Sequence, residues 1–196
     1  MLALLVVGDL SARRLAENRL EQRARSEAGQ PGSVDARIRS FPFLARLLFS
    51  STVAEVQVHL LDVDSGPLDL AVVDVDLRGV RLDRGKMLSG EAELEDIDGG
   101  TVTVELDAAA IGRVVNLPVS ISGDRISVRY RGVSVSARPE AGRNGALVLR
   151  AGRLPPLTVP VTRSRLVSCA AARATIVDGR VRLACDITEV PPGLQG

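Results

Sequence analysis

Hydrophobic and charged residues alternate along most of the chain from residue 34 onward, with the two-residue period of half-buried β-strands. Val34, Ala36 and Ile38 alternate with Asp35 and Arg37, and similar runs follow, most of them joined by glycine-containing turns. Long helical crossovers, which parallel strands require, do not separate these runs. The pattern predicts an antiparallel meander with strands near residues 34–39, 53–64, 68–78, 91–94, 101–106, 119–121, 126–130, 133–137, 146–149, 172–177 and 181–187.

The apolar positions change phase inside the two longest predicted strands. In the first strand Val58 and Leu60 give way to Leu61 and Val63, and a similar shift follows Val72 in the second. We expect a β-bulge at each shift, because an inserted residue moves the following side chains to the other face and bends the strand. The sequence therefore predicts a long, curved sheet.

Residues 9–28 have the spacing of an α-helix instead. We expect Asp9 or Ser11 to be its N-cap. The apolar positions recur every four residues, at Ala12, Ala16, Leu20, Ala24 and Ala28. This stripe is narrow, so the helix should lie across a larger apolar surface rather than form a core by itself. A second, short helix is predicted at 108–115, capped by Asp107.

Two proline-containing apolar segments interrupt the alternation. Phe41-Pro42-Phe43-Leu44 follows the first predicted strand and should end it, because proline has no ladder N–H. Residues 47–49 continue this apolar patch. The segment 154–160 is too apolar for a linker and is predicted to be an edge segment packed on the sheet.

Charge is distributed unevenly along the chain. Net charge is +1 overall, but +3 in residues 1–49, −10 in residues 50–110 and +8 in residues 111–196. The basic C-terminal part either meets phosphates or an anionic membrane, or is neutralised by the acidic part within one fold. Because the basic residues are dispersed and aromatic residues make up only 2% of the chain, nucleic acid is not an expected partner.

The N-terminal apolar run, residues 2–7, is much shorter than the roughly 20 residues that span a bilayer. It is either the end of a signal or anchor segment or an ordinary buried first turn. We assign residues 1–8 to a remnant of a membrane anchor or signal segment, and residues 9–196 to a single domain.

Residue patterns for catalysis are weak. His59 lies on the polar phase of a strand, and no Gly-x-Ser-x-Gly elbow accompanies it. Glu91, Glu93 and Glu95 alternate with apolar residues and so line a solvated strand face. The run 96–100 lacks the calcium-loop pattern. The sequence predicts a protein that is not an enzyme and that has no metal site and no cofactor.

Cys169 and Cys185 lie on either side of the hairpin signal Asp178-Gly179. A disulfide between them would close a loop of about 16 residues, contribute about 3 kcal/mol and indicate an oxidising compartment. A two-residue turn would pair Cys185 with Ala172, so Cys169 would have to reach across from a bulge or loop. The alternative is a pair of buried thiols.

Several of these features occur together in a known family. Ser40-Phe41-Pro42-Phe43-Leu44 after a charged helix, a strand ending in Leu77-Arg78-Gly79-Val80, the turn into residues 107–115 and the cysteine pair resemble the LmeA-like phospholipid-binding proteins of actinobacteria. The resemblance implies a secreted or membrane-anchored protein of the cell envelope that binds phospholipid and is linked to elongation of lipoglycan mannan. It also implies an α+β, tubular lipid-binding (TULIP-like) architecture, in which a long curved antiparallel sheet wraps the N-terminal helix around an apolar channel.

The resemblance suggests where lipid would bind. We expect the apolar patch to line or gate the lipid site, although phenylalanines beside a proline are also common core anchors, and we expect arginines to bind the head group. The predicted lipid-binding residues are Phe41, Pro42, Phe43, Leu44, Leu47, Phe49, Arg37, Arg39 and Arg46. Expected partners are phospholipid, a membrane surface and, as candidates, envelope glycosyltransferases.

Two other functions remain open at this stage. An envelope scaffold or interaction module would need no lipid cavity, so a filled sheet face would favour it and an open channel of several hundred cubic ångströms would favour a lipid carrier. An enzyme acting on lipid-linked sugars would use the acidic residues Asp96 and Asp98.

Overall fold

A computed structural model describes residues 2–27, 31–64, 68–82, 94–142, 145–152, 154–161 and 171–190. Three helices are described in these ranges: α1 (Leu2–Glu27), α2 (Phe43–Ser50) and α3 (Ala108–Val115). The strands are β1 (Ser33–Arg39), β2 (Thr52–Asp64), β3 (Asp69–Leu82), β4 (Leu94–Asp96), β5 (Gly99–Leu106), β6 (Val119–Ser122), β7 (Arg125–Tyr130), β8 (Val133–Ala141), β9 (Leu147–Arg150), β10 (Leu157–Val159), β11 (Ala171–Val177) and β12 (Arg180–Ile187).

The strands form two antiparallel sheets. The larger sheet has the order β1-β2-β3-β5-β12-β11, with β4 also paired to β3, and the smaller has the order β10-β9-β8-β7-β6. The predicted α+β class, an N-terminal helix followed by a large antiparallel sheet, is confirmed. The single meander is wrong, because β12 pairs with β5 and the five strands β6–β10, which lie between them in sequence, form the second sheet.

The larger sheet buries rows of aliphatic side chains that run across its strands. One row joins Val58, Val75, Val102 and Cys185, which are cross-strand partners and are all buried. Valine suits such rows because its branched side chain packs closely against cross-strand neighbours. These rows belong to one continuous hydrophobic cluster that also includes buried residues of the smaller sheet.

The phase changes in β2 and β3 have a different cause from the one that the sequence suggested. The partners of β2 and β3 keep one register from Thr52 and Arg81 to Asp64 and Asp69, so the predicted β-bulges between these strands are wrong. In both strands the buried positions change phase at the same place, where β2 and β3 lie opposite each other near Asp62. Asp62 has a φ of 53°. The side chains therefore change face without a slip in the hydrogen-bond ladder.

Helix α1 runs along β1, the edge strand of the larger sheet. It begins at Leu2, so neither Asp9 nor Ser11 is its N-cap and residues 2–8 belong to the same helix as the predicted segment. The predicted stripe is confirmed where it is described, since Ala12, Ala16, Leu20 and Ala24 pack on the core. Ala28 lies outside the described residues, and whether residues 1–8 are the remnant of an anchor stays a prediction.

Two glutamates of α1 accept hydrogen bonds from backbone N–H groups on the unpaired edge of β1. The N–H of Ile38 donates to Glu17 Oε1 at 2.9 Å, and the N–H of Ala36 donates to Glu21 Oε1 at 3.3 Å. Because β1 pairs with β2 on its other side, these N–H groups would otherwise be exposed to pairing with a further strand. The helix thus caps the sheet edge with carboxylates.

Helix α3 and strand β10 follow the sequence prediction. Asp107 Oδ1 accepts a hydrogen bond of 2.6 Å from the N–H of Ala110, as expected of an N-cap. The proline-rich segment supplies β10, the edge strand beside β9. The hairpin of β11 and β12 pairs Cys185 with Ala172, as predicted. Cys169 lies outside the described residues, so the Cys169–Cys185 disulfide stays a prediction.

Gly79 allows β3 to pass close to the segment that carries Asp98. Its φ is 59°, and a Cβ placed there would lie 1.9 Å from Asp98 Oδ2. Gly123, in the turn between β6 and β7, has nearly the same φ, 57°, but open space around it. We expect Gly123→Ala to cost about 1–2 kcal/mol from backbone strain alone.

Gly79→Ala should cost about 1–3 kcal/mol more than Gly123→Ala, because the added methyl group also displaces Asp98. Urea denaturation of both variants measures this difference. Equal losses of stability would show that the close approach at Gly79 is wrong.

Candidate lipid-contact site beside α1 and α2

The carboxylate of Asp9 holds the start of α2. Asp9 Oδ2 accepts from the N–H of Phe43 at 3.1 Å, and Oδ1 accepts from the N–H of Leu44 at 2.6 Å. Pro42, at the N-cap position of α2, provides no side-chain cap of its own. Asp9 is only 6% exposed, so these two bonds compensate for the burial of its charge. Helix α1 therefore fixes the position of α2.

The predicted apolar patch is divided between core and surface. Phe43 is 3% exposed and belongs to the core, while Leu44 and Leu47 are half-buried and pack against it. Phe41 is 69% exposed and Phe49 is 85% exposed. Apolar side chains thus continue from the hydrophobic core, along α2, to the protein surface.

A cavity of about 430 Å³ lies beside α2. Its lining residues are Arg46, Thr52, Val53, Ala54, Gly79, Arg81 and Asp98. Arg81 forms an ion pair with Asp96 and lies 3.8 Å from Asp98 Oδ1. Arg46 forms no ion pair with a carboxylate of the described chain. The cavity therefore has one arginine whose charge is not neutralised by a neighbouring side chain.

The structure places Arg37 in a different cavity. This cavity, of about 350 Å³, lies on the outer face of β1, β2 and β3, and Arg37 Nε lies 2.9 Å from Asp35 Oδ1 there. His59 is in the same cavity, half-exposed and paired with Asp74 across the strands, in agreement with the predicted polar face. Arg37 and Arg46 are thus not brought together, and Arg39 lines neither cavity.

Neither cavity is the apolar channel that the resemblance implied. Both are lined mainly by polar residues, and the inward-facing aliphatic side chains contact one another in one cluster over the described part of the chain. Buried members of this cluster are at most 8% exposed. Lipid could enter this region only if some of these contacts were replaced.

The acidic segment has structural partners. Asp96 and Asp98 both lie near Arg81, while Glu91 and Glu93 are outside the described ranges. Within those ranges no group of three or more His, Cys, Asp or Glu side chains is arranged to hold a metal ion.

Sequence reasoning missed α2 and two residues beside it. An apolar run of eight residues does not distinguish a short helix from a strand. The sequence predicts Asp9 as the N-cap of its own helix, α1, whereas its carboxylate caps α2. The sequence does not show that the start of α2 folds against Asp9. Arg81 lies two residues after Gly79 in a long strand, and only the folded chain shows that it shares a cavity with Arg46.

An exposed apolar helix beside a cationic cavity suits amphiphiles that have an anionic head group. No helix in the described ranges is both long enough and apolar enough to cross a membrane. The chain belongs to the LmeA-like phospholipid-binding family, whose model matches residues 7–196. No curated protein and no solved structure matches the chain. The family membership confirms the resemblance found in the sequence and indicates phospholipid binding.

The bonds from Asp9 should contribute measurably to stability. In Asp9→Asn the amide retains one acceptor but turns its NH₂ group toward a backbone donor, so one buried N–H loses its partner. We expect a loss of about 1–3 kcal/mol in the free energy of unfolding, measured by urea denaturation. Asp124→Asn, in the exposed β6–β7 turn, is the matched control and should change stability by less than about 0.5 kcal/mol. Equal effects of the two substitutions would contradict the role of Asp9.

Proposed function

We propose that this protein is a non-catalytic phospholipid-binding protein of the cell envelope, which holds single lipid molecules at the site beside α2. The observation that carries this proposal is the position of the Arg46 cavity next to a helix whose apolar residues reach from the surface to the core. Family membership supports the same class of ligand.

The head group would lie in the cavity. Arginine binds phosphate well, because its planar guanidinium donates two parallel hydrogen bonds to the phosphate oxygens. Arg46 is available for this contact, whereas Arg81, which lines the same cavity, is paired with Asp96. A volume of about 430 Å³ is within the range of small-molecule sites.

The acyl chains would pass along Leu44 and Leu47 toward the interior. In the part of the protein that the structure describes, the apolar side chains already contact one another, so acyl chains must replace some of these contacts. The contacts made by α1 are the weakest. Three of its four described stripe residues are alanines, which bury little apolar area. Acyl chains contribute about 0.8 kcal/mol for each buried CH₂ group, so they can replace such contacts. We propose that α1 shifts away from the sheet to admit them.

The proposed cellular role is based on the family and not on the geometry of this site. We propose an extracytoplasmic location at a membrane surface, with a part in lipoglycan mannan elongation or envelope maintenance and with glycosyltransferases as partners. The predicted Cys169–Cys185 disulfide would suit that compartment. The upstream part of α1 would supply attachment if residues 1–8 are the end of an anchor.

A second candidate function is an envelope scaffold without bound lipid. The filled apolar cluster favours it, since a scaffold needs no interior space. The two functions differ in one measurable property, because only a lipid-holding protein should bind phospholipid with defined stoichiometry.

Charge reversal at Arg46 tests the proposed site. Arg46→Glu should weaken binding of a short-chain, monomeric phosphatidylglycerol by roughly tenfold or more, because a phosphate contact is replaced by a repulsion. Isothermal titration calorimetry below the critical micelle concentration measures this affinity.

Arg129→Glu, with the same charge change on the exposed side of β7, should retain the affinity of the unsubstituted protein. If both variants bind equally well, the head group is not at Arg46. If the unsubstituted protein does not bind the monomeric lipid at all, the scaffold is the better description.

A further inference from the structure

The ends of α1 and α2 expose large apolar side chains together. Val7 and Leu10 lie within two residues of Asp9, whose carboxylate contacts the start of α2. On α2 the side chains of Leu48 and Phe49 are exposed, whereas that of Phe43 is buried in the core. We call the five exposed residues of this region the apolar end: Val7, Leu10, Phe41, Leu48 and Phe49.

The apolar end is more than the few scattered hydrophobic residues that a soluble surface normally carries. The five side chains are between 43% and 85% exposed, and they come from α1, from α2 and from the turn just before α2. The two helices are joined by the hydrogen bonds from Asp9. Large exposed apolar side chains grouped around one pair of helices are typical of a surface that contacts another apolar phase or partner. The helix α2 exposes Leu48 and Phe49 together with Arg46 and Ser50, so large apolar side chains occupy part of a face that is usually polar.

Cations without acidic partners accompany the apolar end. Arg14, Arg39 and Arg46 are exposed, and within the described chain none of them forms an ion pair with a carboxylate. Asp9, the acidic residue in the same part of α1, is buried and both of its oxygens accept hydrogen bonds from α2. Some arginines in other parts of the described chain are paired, as Arg150 is with Glu140 and Arg182 with Glu105.

We infer that the apolar end is a docking surface for an anionic phospholipid bilayer, with Leu48 and Phe49 inserted at the interface and the three arginines over the head groups. Apolar side chains surrounded by unpaired cations complement a negatively charged membrane surface. The charge favours a bilayer over an apolar protein surface, where three unpaired guanidinium groups would be desolvated without partners. This inference rests on the proposed function, because docking would present the Arg46 cavity to membrane lipids.

Vesicle binding tests the inference. The full chain is mixed with vesicles of phosphatidylcholine alone or of phosphatidylcholine with phosphatidylglycerol, and the bound fraction is measured by sedimentation. Each unpaired arginine near an anionic surface should raise partitioning on the order of fivefold, so binding to the anionic vesicles should be stronger by tenfold or more. Leu48→Ser with Phe49→Ser should reduce this binding by at least roughly tenfold.

The matched control removes another exposed apolar pair. Tyr130 and Val133 flank the turn between β7 and β8, and are 38% and 63% exposed. Tyr130→Ser with Val133→Ser should leave vesicle binding unchanged. Equal losses in the two double variants, or equal binding to neutral and anionic vesicles, would overturn the inference.

Monomeric short-chain phosphatidylglycerol separates docking from lipid holding. The single variant Leu48→Ser, which keeps the predicted lipid contact Phe49, should weaken vesicle binding and yet bind this lipid as the unsubstituted protein does, which also shows that the variant is folded. An unsubstituted protein that binds the monomeric lipid but not anionic vesicles would overturn docking and leave the proposed function intact. A dimer that forms in solution and is lost in the double variant would instead assign the apolar end to a second copy of the chain.

Discussion

The two hydrogen bonds from the Asp9 carboxylate to the N–H groups of Phe43 and Leu44 determine the geometry of the candidate site. They join two helices that are separated by a strand in sequence, and they replace the cap that Pro42 cannot supply. Because α2 carries both Arg46 and the exposed apolar side chains, the position of each depends on this buried carboxylate. A charge in the core is tolerated here since both of its oxygens are satisfied.

The same helix protects the sheet. Glu17 and Glu21 accept hydrogen bonds from alternate N–H groups of β1. Ala16, Leu20 and Ala24 of the same helix pack on the core. Polar bonds to the backbone therefore position α1, and apolar burial contributes less than it does for a leucine-rich helix. The hydrogen bonds hold α1 on the sheet edge, and the small alanine contacts are the ones that acyl chains would replace in the proposed lipid-bound state.

Local patterns predicted the strands and several residues of the candidate site, such as Leu47 and Arg46, but not how these residues are arranged. Alternation such as Val34-Asp35-Ala36 depends only on neighbouring residues, and it located nearly every described strand. The pairing of β5 with β12 in the larger sheet joins residues about 80 positions apart. A local hydrophobic pattern does not predict such a pairing. Likewise, the sequence marked Phe41 and Phe43 alike, but burial placed one in the core and the other at the surface.

The central claim is that one phospholipid molecule lies along α2 with its phosphate at Arg46. A phosphatidylglycerol that carries a diazirine near the middle of one acyl chain tests it most directly, with the labelled peptides identified by mass spectrometry after irradiation. Labelling concentrated in α1 and α2, and competed by unlabelled lipid, is the predicted result. Labelling confined to the polar outer face of β1, β2 and β3, or spread evenly over the surface, would contradict the claim.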